Sequence, residues 1–167
     1  LSSKKIRLDI ETSIEYDEAK ISGFFDIESI NKKNLFTYVI KDNSLNFLSS
    51  EKNFQGEVNF KPFYFSTDLN FNYLSQKKIF KNESLLIDLL DSELLNNPNL
   101  NASIKINIEQ IDKFEHLKNF VSKVNLGDGR IIIKDFNTIW NESVFVNSNE
   151  IEFLNDIDGK KLVGEII

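Results

Sequence analysis

The sequence predicts a mainly β fold, in which a mainly antiparallel sheet curls about its apolar face and carries one helical insertion at about 76–96. Two observations predict this fold. Apolar residues occupy every second position over most of the 167-residue chain, which is the period of a strand with one apolar and one polar face. Between 74 and 95 the spacing changes to three and four residues, which is the period of an amphipathic helix.

The longest alternating stretch runs from Phe54 to Tyr73. The apolar residues hold one parity up to Lys61-Pro62 and the other parity after it. Because proline cannot donate a hydrogen bond to a sheet, and a shift of one residue moves later side chains to the opposite face, we predict a bulge or a corner between two strands at Pro62.

Alternation elsewhere predicts further strands, separated by polar or glycine-containing turns. Lys41-Asp-Asn-Ser44 predicts a hairpin turn, and Gly127-Asp-Gly129 predicts a tight turn with positive φ. Strands are predicted at 5–16, 19–27, 35–40, 45–48, 102–109, 120–126, 130–136, 142–147, 150–154 and 161–167, with a loop at 30–34 and a break at 137–141. Gly23, Gly56 and Gly129 each precede alternating apolar residues, a loose internal echo.

The predicted helix has boundary signals of its own. Asn82 or Ser84 is suited to cap its start, and Asn96-Asn97-Pro98 stops it. A shorter helix is expected before Asn82.

Composition limits the function classes. The length fits a single β-rich module covering 1–167, which we interpret as a segment of a longer protein. A net charge of −6, with no basic cluster, argues against nucleic acid as a partner. The absence of cysteine excludes disulfides and thiolate metal sites. No run of apolar residues is long enough for a transmembrane helix.

No residue pattern of catalysis is present. The single histidine, His116, has no neighbouring metal-ligand residues and is expected in an exposed loop. Nucleophile, metal and phosphate-binding motifs are all missing, so we predict no enzymatic activity, no metal and no cofactor. Trp140 is expected to be a packing residue, with a membrane-interface anchor or a sugar contact as its alternatives.

The apolar face of the sheet is the remaining functional feature. It could pack against a second layer, as in a filled β-sandwich of a structural or adhesion protein, or it could line a groove. The residue pattern alone favours the filled sandwich.

Several short runs resemble the repeating part of AsmA-like bacterial envelope proteins, over about the last two thirds of the chain. They are Phe54-Gln-Gly-Glu-Val-Asn-Phe-Lys-Pro-Phe-Tyr-Phe, Asp68-Leu-Asn-Phe, the Leu-rich stretch through Leu94-Leu-Asn96, Asn99-Leu-Asn-Ala-Ser-Ile-Lys-Ile and Gly127-Asp-Gly-Arg-Ile.

This resemblance implies an elongated, strongly twisted sheet with an apolar groove that assists phospholipid transport between the inner and outer membranes and outer-membrane assembly. It also implies a periplasmic location, anchored to the inner membrane through a helix outside this segment, with neighbouring β modules of the same chain as partners. Phospholipid acyl chains would lie on the apolar parity of the central strands: Val58, Phe60, Phe63, Phe65, Leu69, Phe71, Ile104, Ile106 and Ile108. A soluble carrier of single lipids is a further alternative.

Overall fold

A computed structural model describes residues 7–15, 19–29, 32–74, 97–156 and 159–167. The described residues form eleven strands: β1 (Arg7–Glu15), β2 (Lys20–Ser29), β3 (Lys32–Lys41), β4 (Ser44–Ser49), β5 (Phe54–Phe60), β6 (Phe63–Leu74), β7 (Ala102–Ile111), β8 (Leu117–Gly127), β9 (Arg130–Trp140), β10 (Val144–Asp156) and β11 (Gly159–Gly164). The prediction of a mainly β protein is confirmed. The predicted helix at 76–96 lies outside the described residues.

Strand order along the sheet follows the chain from β1 to β11. Antiparallel registers join β1 to β2, β3, β4 and β5 in succession, and β7 to β8, β9, β10 and β11. The sheet therefore consists mainly of hairpins between chain neighbours, as the alternating pattern predicts.

The pairing of β6 with β7 is an exception to this antiparallel arrangement. The Asn107 side chain donates to that of Asn70, and the Asp112 backbone N–H donates to the Leu74 carbonyl. Both contacts advance along β6 and β7 in the same direction, so these two strands are parallel and the sheet is mixed. A parallel pair requires a long connection between its strands, which here spans the residues between Leu74 and Ala102.

The chain divides into two compact units, Leu1–Thr67 and Asp68–Ile167, with the boundary inside β6. The first unit contains β1 to β5 and the beginning of β6. The second contains the rest of β6 and β7 to β11.

Local turn chemistry fixes two of the hairpins. Asp42 and Asn43 have φ values of 51° and 65°, and Asp128 and Gly129 have values of 53° and 72°. Two consecutive residues with positive φ make a two-residue turn whose twist matches that of the flanking strands, and Asn, Asp and Gly adopt it at the lowest cost. Both predicted turns are confirmed. Pro62 lies in the turn between β5 and β6, so the predicted corner is confirmed as well.

Three predicted strand boundaries are wrong. The break predicted at 137–141 is not present, because β9 continues to Trp140 and the turn follows it. The strands predicted at 142–147 and 150–154 are a single strand, β10. The loop predicted at 30–34 is shorter, since β3 begins at Lys32.

The errors in β9 and β10 have a common physical cause. Asp135 has a φ of 53°, and the pairing of β8 with β9 shifts register between Lys118 and Lys123. After an irregularity of this kind, the alternate residues that faced the apolar side of the sheet face the other side, although the strand continues. In the sequence, a change of parity looks like a strand end.

Candidate functional site

The apolar face of the first unit carries a continuous cluster of aromatic rings. Phe25 stacks on Phe36 with ring centroids 4.8 Å apart, and Phe36 meets Phe47 and Phe54 edge to face at 6.4 and 5.5 Å. Phe47 then stacks on Phe65 at 6.2 Å. Such ring pairs stabilise a fold beyond the burial of their area. The rings connect β2 to β6, and we call Phe25, Phe36, Tyr38, Phe47, Phe54 and Phe65 the aromatic cluster.

A glycine makes room for one ring of this cluster. Gly23 is the cross-strand partner of Tyr38, and Gly56 is the partner of Phe47. A Cβ atom at Gly56 would lie 2.5 Å from Cζ of Phe47 and would also collide with the Ser66 carbonyl oxygen. The glycine therefore lets the ring lie against the neighbouring strand. At Gly56 the glycine of the echo reflects this packing, whereas Gly129 is a turn residue.

The predicted site residues of the first unit occupy the same face. Val58 is paired with Leu45 and is half-buried. Phe65 belongs to the aromatic cluster. Phe60 and Phe63 flank the turn at Pro62 and are exposed. The structure thus brings Phe65 into ring contact with the centre of the face and places Phe60 and Phe63 at its end.

In the second unit the predicted site residues form rows across β6, β7 and β8. Ile104, Ile106 and Ile108 have Val124, Ser122 and Phe120 as their partners on β8. Since β6 and β7 are parallel with Asn70 beside Asn107, Leu69 and Phe71 occupy the same face as Ile106 and Ile108. Ile108 is buried, and the other four predicted residues of this unit are half-buried.

Small hydroxyl residues interrupt the apolar face of the second unit. Thr138 donates to the Lys118 carbonyl at 3.0 Å, and Ser148 donates to the Glu150 carbonyl at 3.4 Å. Ser122 is only 2% exposed, and its Oγ has no hydrogen-bond partner among the described residues. Ser122 and Thr138 lie at the register shifts of β8 and β9. An irregular ladder leaves backbone groups unpaired, and Thr138 satisfies one of them.

The opposite face of the second unit carries polar and charged side chains, together with a few apolar ones such as Ile139 and Phe145. Its side chains include the amide pair Asn70 and Asn107 at 2.7 Å and the ion pair Lys134 and Glu150 at 3.3 Å. Lys105 is exposed on this face, as its parity predicts. The apolar face, which could bind an apolar ligand, and the face with the charged side chains therefore lie on opposite sides of the sheet.

Among the described residues, neither unit covers its apolar face with a second strand layer of its own. Within each unit, the strand pairs with substantial contact are neighbours in the chain. An open cleft over β6, β7 and β8 is lined by Asn70, Asn72, Asn107 and Glu109 as well as by Phe71, Ile108 and Phe120, so it is not a pocket of the apolar face. Its volume of about 180 Å³ is below the roughly 300 Å³ of a small-molecule pocket. The candidate site is a face of a sheet rather than an enclosed cavity.

Other kinds of site find no support in the described ranges. No group of three His, Cys, Asp or Glu side chains there could hold a metal ion. No helix among those residues is long and apolar enough to cross a membrane. His116 is exposed in the connection between β7 and β8, where its carbonyl accepts a hydrogen bond from Asn141.

Comparison with known proteins finds no match to this chain. No protein-family model matches the chain, and no curated protein or solved structure matches it. The resemblance to AsmA-like proteins therefore remains a hypothesis drawn from the sequence.

The prediction from sequence missed most of the aromatic cluster. The predicted site residues include Phe65 but not Phe36 or Phe47, which lie on β3 and β4. The signal that could have found them is the pair of glycines on the apolar parity of β2 and β5, because a glycine in a strand interior often marks close approach by a neighbouring group.

Proposed function

We propose that the apolar face binds phospholipid acyl chains, and that the chain is a non-enzymatic module of an AsmA-like envelope protein that assists phospholipid transport between two membranes and outer-membrane assembly. The observation that carries this proposal is the aromatic cluster, which extends over five strands on one face of the sheet. No catalytic group is needed for this role.

The physical basis is burial of hydrocarbon. Each methylene group removed from water contributes about 0.8 kcal/mol, so an acyl chain lying along several strands gains affinity without polar contacts. In the first unit Phe65 presents a ring to such a chain, and in the second unit Leu69 and Ile106 present branched side chains. We expect little discrimination between headgroups, because this face carries no charged side chain near its centre.

The finer architecture is part of the same proposal. In it, the sheet is elongated and strongly twisted and curls into a groove about its apolar face. Neighbouring β modules of the same protein continue the groove, and a helix outside this segment anchors the protein in the inner membrane, with this module in the periplasm.

Photocrosslinking tests the proposal with matched positions on the two faces. A photoreactive residue replaces Phe65 or Ile106 in the full-length protein, and its direct neighbour Tyr64 or Lys105 serves as the control. Both controls are exposed and point to the opposite face. Mass spectrometry should find lipid adducts at 65 and 106 and far fewer at 64 and 105.

The alternative is a covered face in a structural or adhesion protein. One observation favours it: Phe36 and Tyr38 are each only 6% exposed, although no strand layer among the described residues of their unit covers them. Protein adducts from positions 65 and 106, without lipid adducts, would support this alternative and overturn the lipid-binding proposal.

A further inference from the structure

One end of the second unit collects large exposed side chains from three connections. Tyr73 is at the end of β6, Phe114 is between β7 and β8, and Trp140, Val144 and Phe145 flank the turn from β9 to β10. All five are exposed, Trp140 by 50% and Phe145 by 71%. We call these five residues the aromatic end.

Hydrogen bonds hold the connections of the aromatic end together. The Asn141 backbone N–H donates to the His116 carbonyl at 2.9 Å, and the Asp112 N–H donates to the Leu74 carbonyl at 2.9 Å. Lys118 forms an ion pair with Glu142 at 2.9 Å. The exposed side chains are therefore carried on connections that are fixed to one another.

The opposite end of the same strands differs in composition. The described residues there are mainly polar and exposed: Asn97, Asn99 and Asn101 before β7 and Asp128 in the turn between β8 and β9, with Leu154 near the end of β10 as an exposed apolar residue. Exposed apolar side chains scattered singly are ordinary on a protein surface, but several together at one end indicate an interaction site.

We infer that the aromatic end inserts into the interface of a phospholipid bilayer. The side chains of Trp140 and Val144 are cross-strand partners on one face of the sheet, whereas Phe145 and its partner Ile139 lie on the other. A flat protein partner could cover only one of these faces, but a bilayer surrounds the end and takes up both. Trp and Tyr suit this position because each joins an apolar ring to a polar group.

The charges around the aromatic end indicate which bilayer it fits. Lys113 and Lys118 stand beside Asp112, Glu115 and Glu142, so both signs are present and neither dominates. The chain as a whole has a net charge of −6. We therefore commit to a zwitterionic surface, whose headgroups also carry both signs, and binding should depend little on salt.

This inference goes beyond the proposed function, since it places membrane contact on the segment itself and at the end of the sheet instead of on its apolar face. The proposed function and this inference can fail independently of each other. The Phe145→Ser change should weaken vesicle binding and leave lipid adducts at positions 65 and 106 unchanged.

Trp140 is the single tryptophan of the chain, so its fluorescence reports directly on the aromatic end. Phosphatidylcholine vesicles should shift its emission to shorter wavelength, and phosphatidylcholine with brominated acyl chains should quench it. The Phe145→Ser change should lower the partition coefficient about tenfold, because the ring's hydrocarbon no longer leaves water. Tyr73→Ser and Phe114→Ser should each lower it less, since the serine variants remove smaller exposed areas.

The matched control is Phe24→Ser. Phe24 is 50% exposed but lies on β2, in the first unit, so its loss should leave vesicle binding unchanged. An emission spectrum that vesicles do not alter would overturn the inference, and so would an equal loss of binding in the Phe24 variant. An emission shift that grows with protein concentration in the absence of vesicles would replace the bilayer with a second copy of the chain.

Discussion

The two units of this protein pack the side chains of their apolar faces in different ways. In the first, the registers of β1 to β5 run without interruption, and Gly56 lies beneath the ring of Phe47. In the second, the facing residues are mainly branched aliphatics, and the pairing of β8 with β9 is interrupted by register shifts that are accompanied by buried hydroxyls.

The difference shows that a one-layer apolar face can adapt either its side chains or its backbone. A ring lies flat when its neighbour has no Cβ, so the ladder stays regular. A bulge redirects side chains without removing volume, but it leaves backbone groups that need new hydrogen-bond partners. Substitutions in each unit can test these two ways of packing separately.

The largest effect is expected at the centre of the aromatic cluster. Phe36→Ala should lower the free energy of unfolding by about 3–5 kcal/mol, because it removes a buried ring that contacts three others. Urea denaturation measures it. Phe24→Ala, at an exposed position on the neighbouring strand, should cost less than about 1 kcal/mol. Similar losses for the two variants would show that the cluster is not the stabilising element.

Replacing a glycine tests whether the rings need the space beneath them. Gly56→Ala should cost about 1–3 kcal/mol, because the new Cβ meets the Phe47 ring and the Ser66 carbonyl. Gly127→Ala is the control, since the nearest heavy atom to its Cβ is Oδ1 of Asn101 at 3.4 Å. Thermal unfolding of the two variants should separate them. Equal midpoints would contradict the packing role of Gly56.

The buried hydroxyls of the second unit should differ from one another. Thr138→Val removes the donor to the Lys118 carbonyl and should cost about 1–2 kcal/mol. Ser122→Ala should be neutral or slightly stabilising, since Oγ of Ser122 has no partner among the described residues. A destabilised Ser122 variant in chemical denaturation would show that Oγ of Ser122 does form a stabilising hydrogen bond.

The smallest effect concerns pH. The hydrogen bond from Lys118, with the charge of that ammonium, holds the pKa of the Glu142 carboxyl below its ordinary value. The stability that the Lys118–Glu142 pair contributes is therefore fully present above the ordinary pKa of a glutamate. It is lost as the pH falls through the lowered pKa of Glu142. Carbon-13 NMR titration of Glu142 measures the shift. Lys118→Met should return the pKa to the ordinary range, and an unchanged pKa in that variant would refute the assignment.

Local features of the sequence were enough to predict most strands. The period of two and the turns at Asp42-Asn43 and Asp128-Gly129 depend on residues close together in the chain, and the structure confirms them. The continuity of β9 and β10 could not be predicted in this way, because the irregularity at Asp135 has the same appearance in a sequence as a strand end.

The candidate site was only partly predictable for a related reason. Alternation assigned Phe65 and Ile106 to the apolar face, which is a local property of one strand. Which rings touch depends on register, since Phe25 meets Phe36 only because their strands align at that pair. The parallel pairing of β6 with β7 depends on still more distant residues, and alternation has no information about strand direction.

The parallel pair also has a consequence for folding kinetics. Every antiparallel register described here joins strands that are adjacent in the chain, so those hairpins close short loops and can form early. Asn70 can reach Asn107 only after a much longer loop closes, and loop closure becomes more costly with length. In a pulsed hydrogen-exchange experiment, the amide of Asp112 should therefore gain protection later than those in the β3–β4 hairpin, and folding should end with the zipping of β6 onto β7.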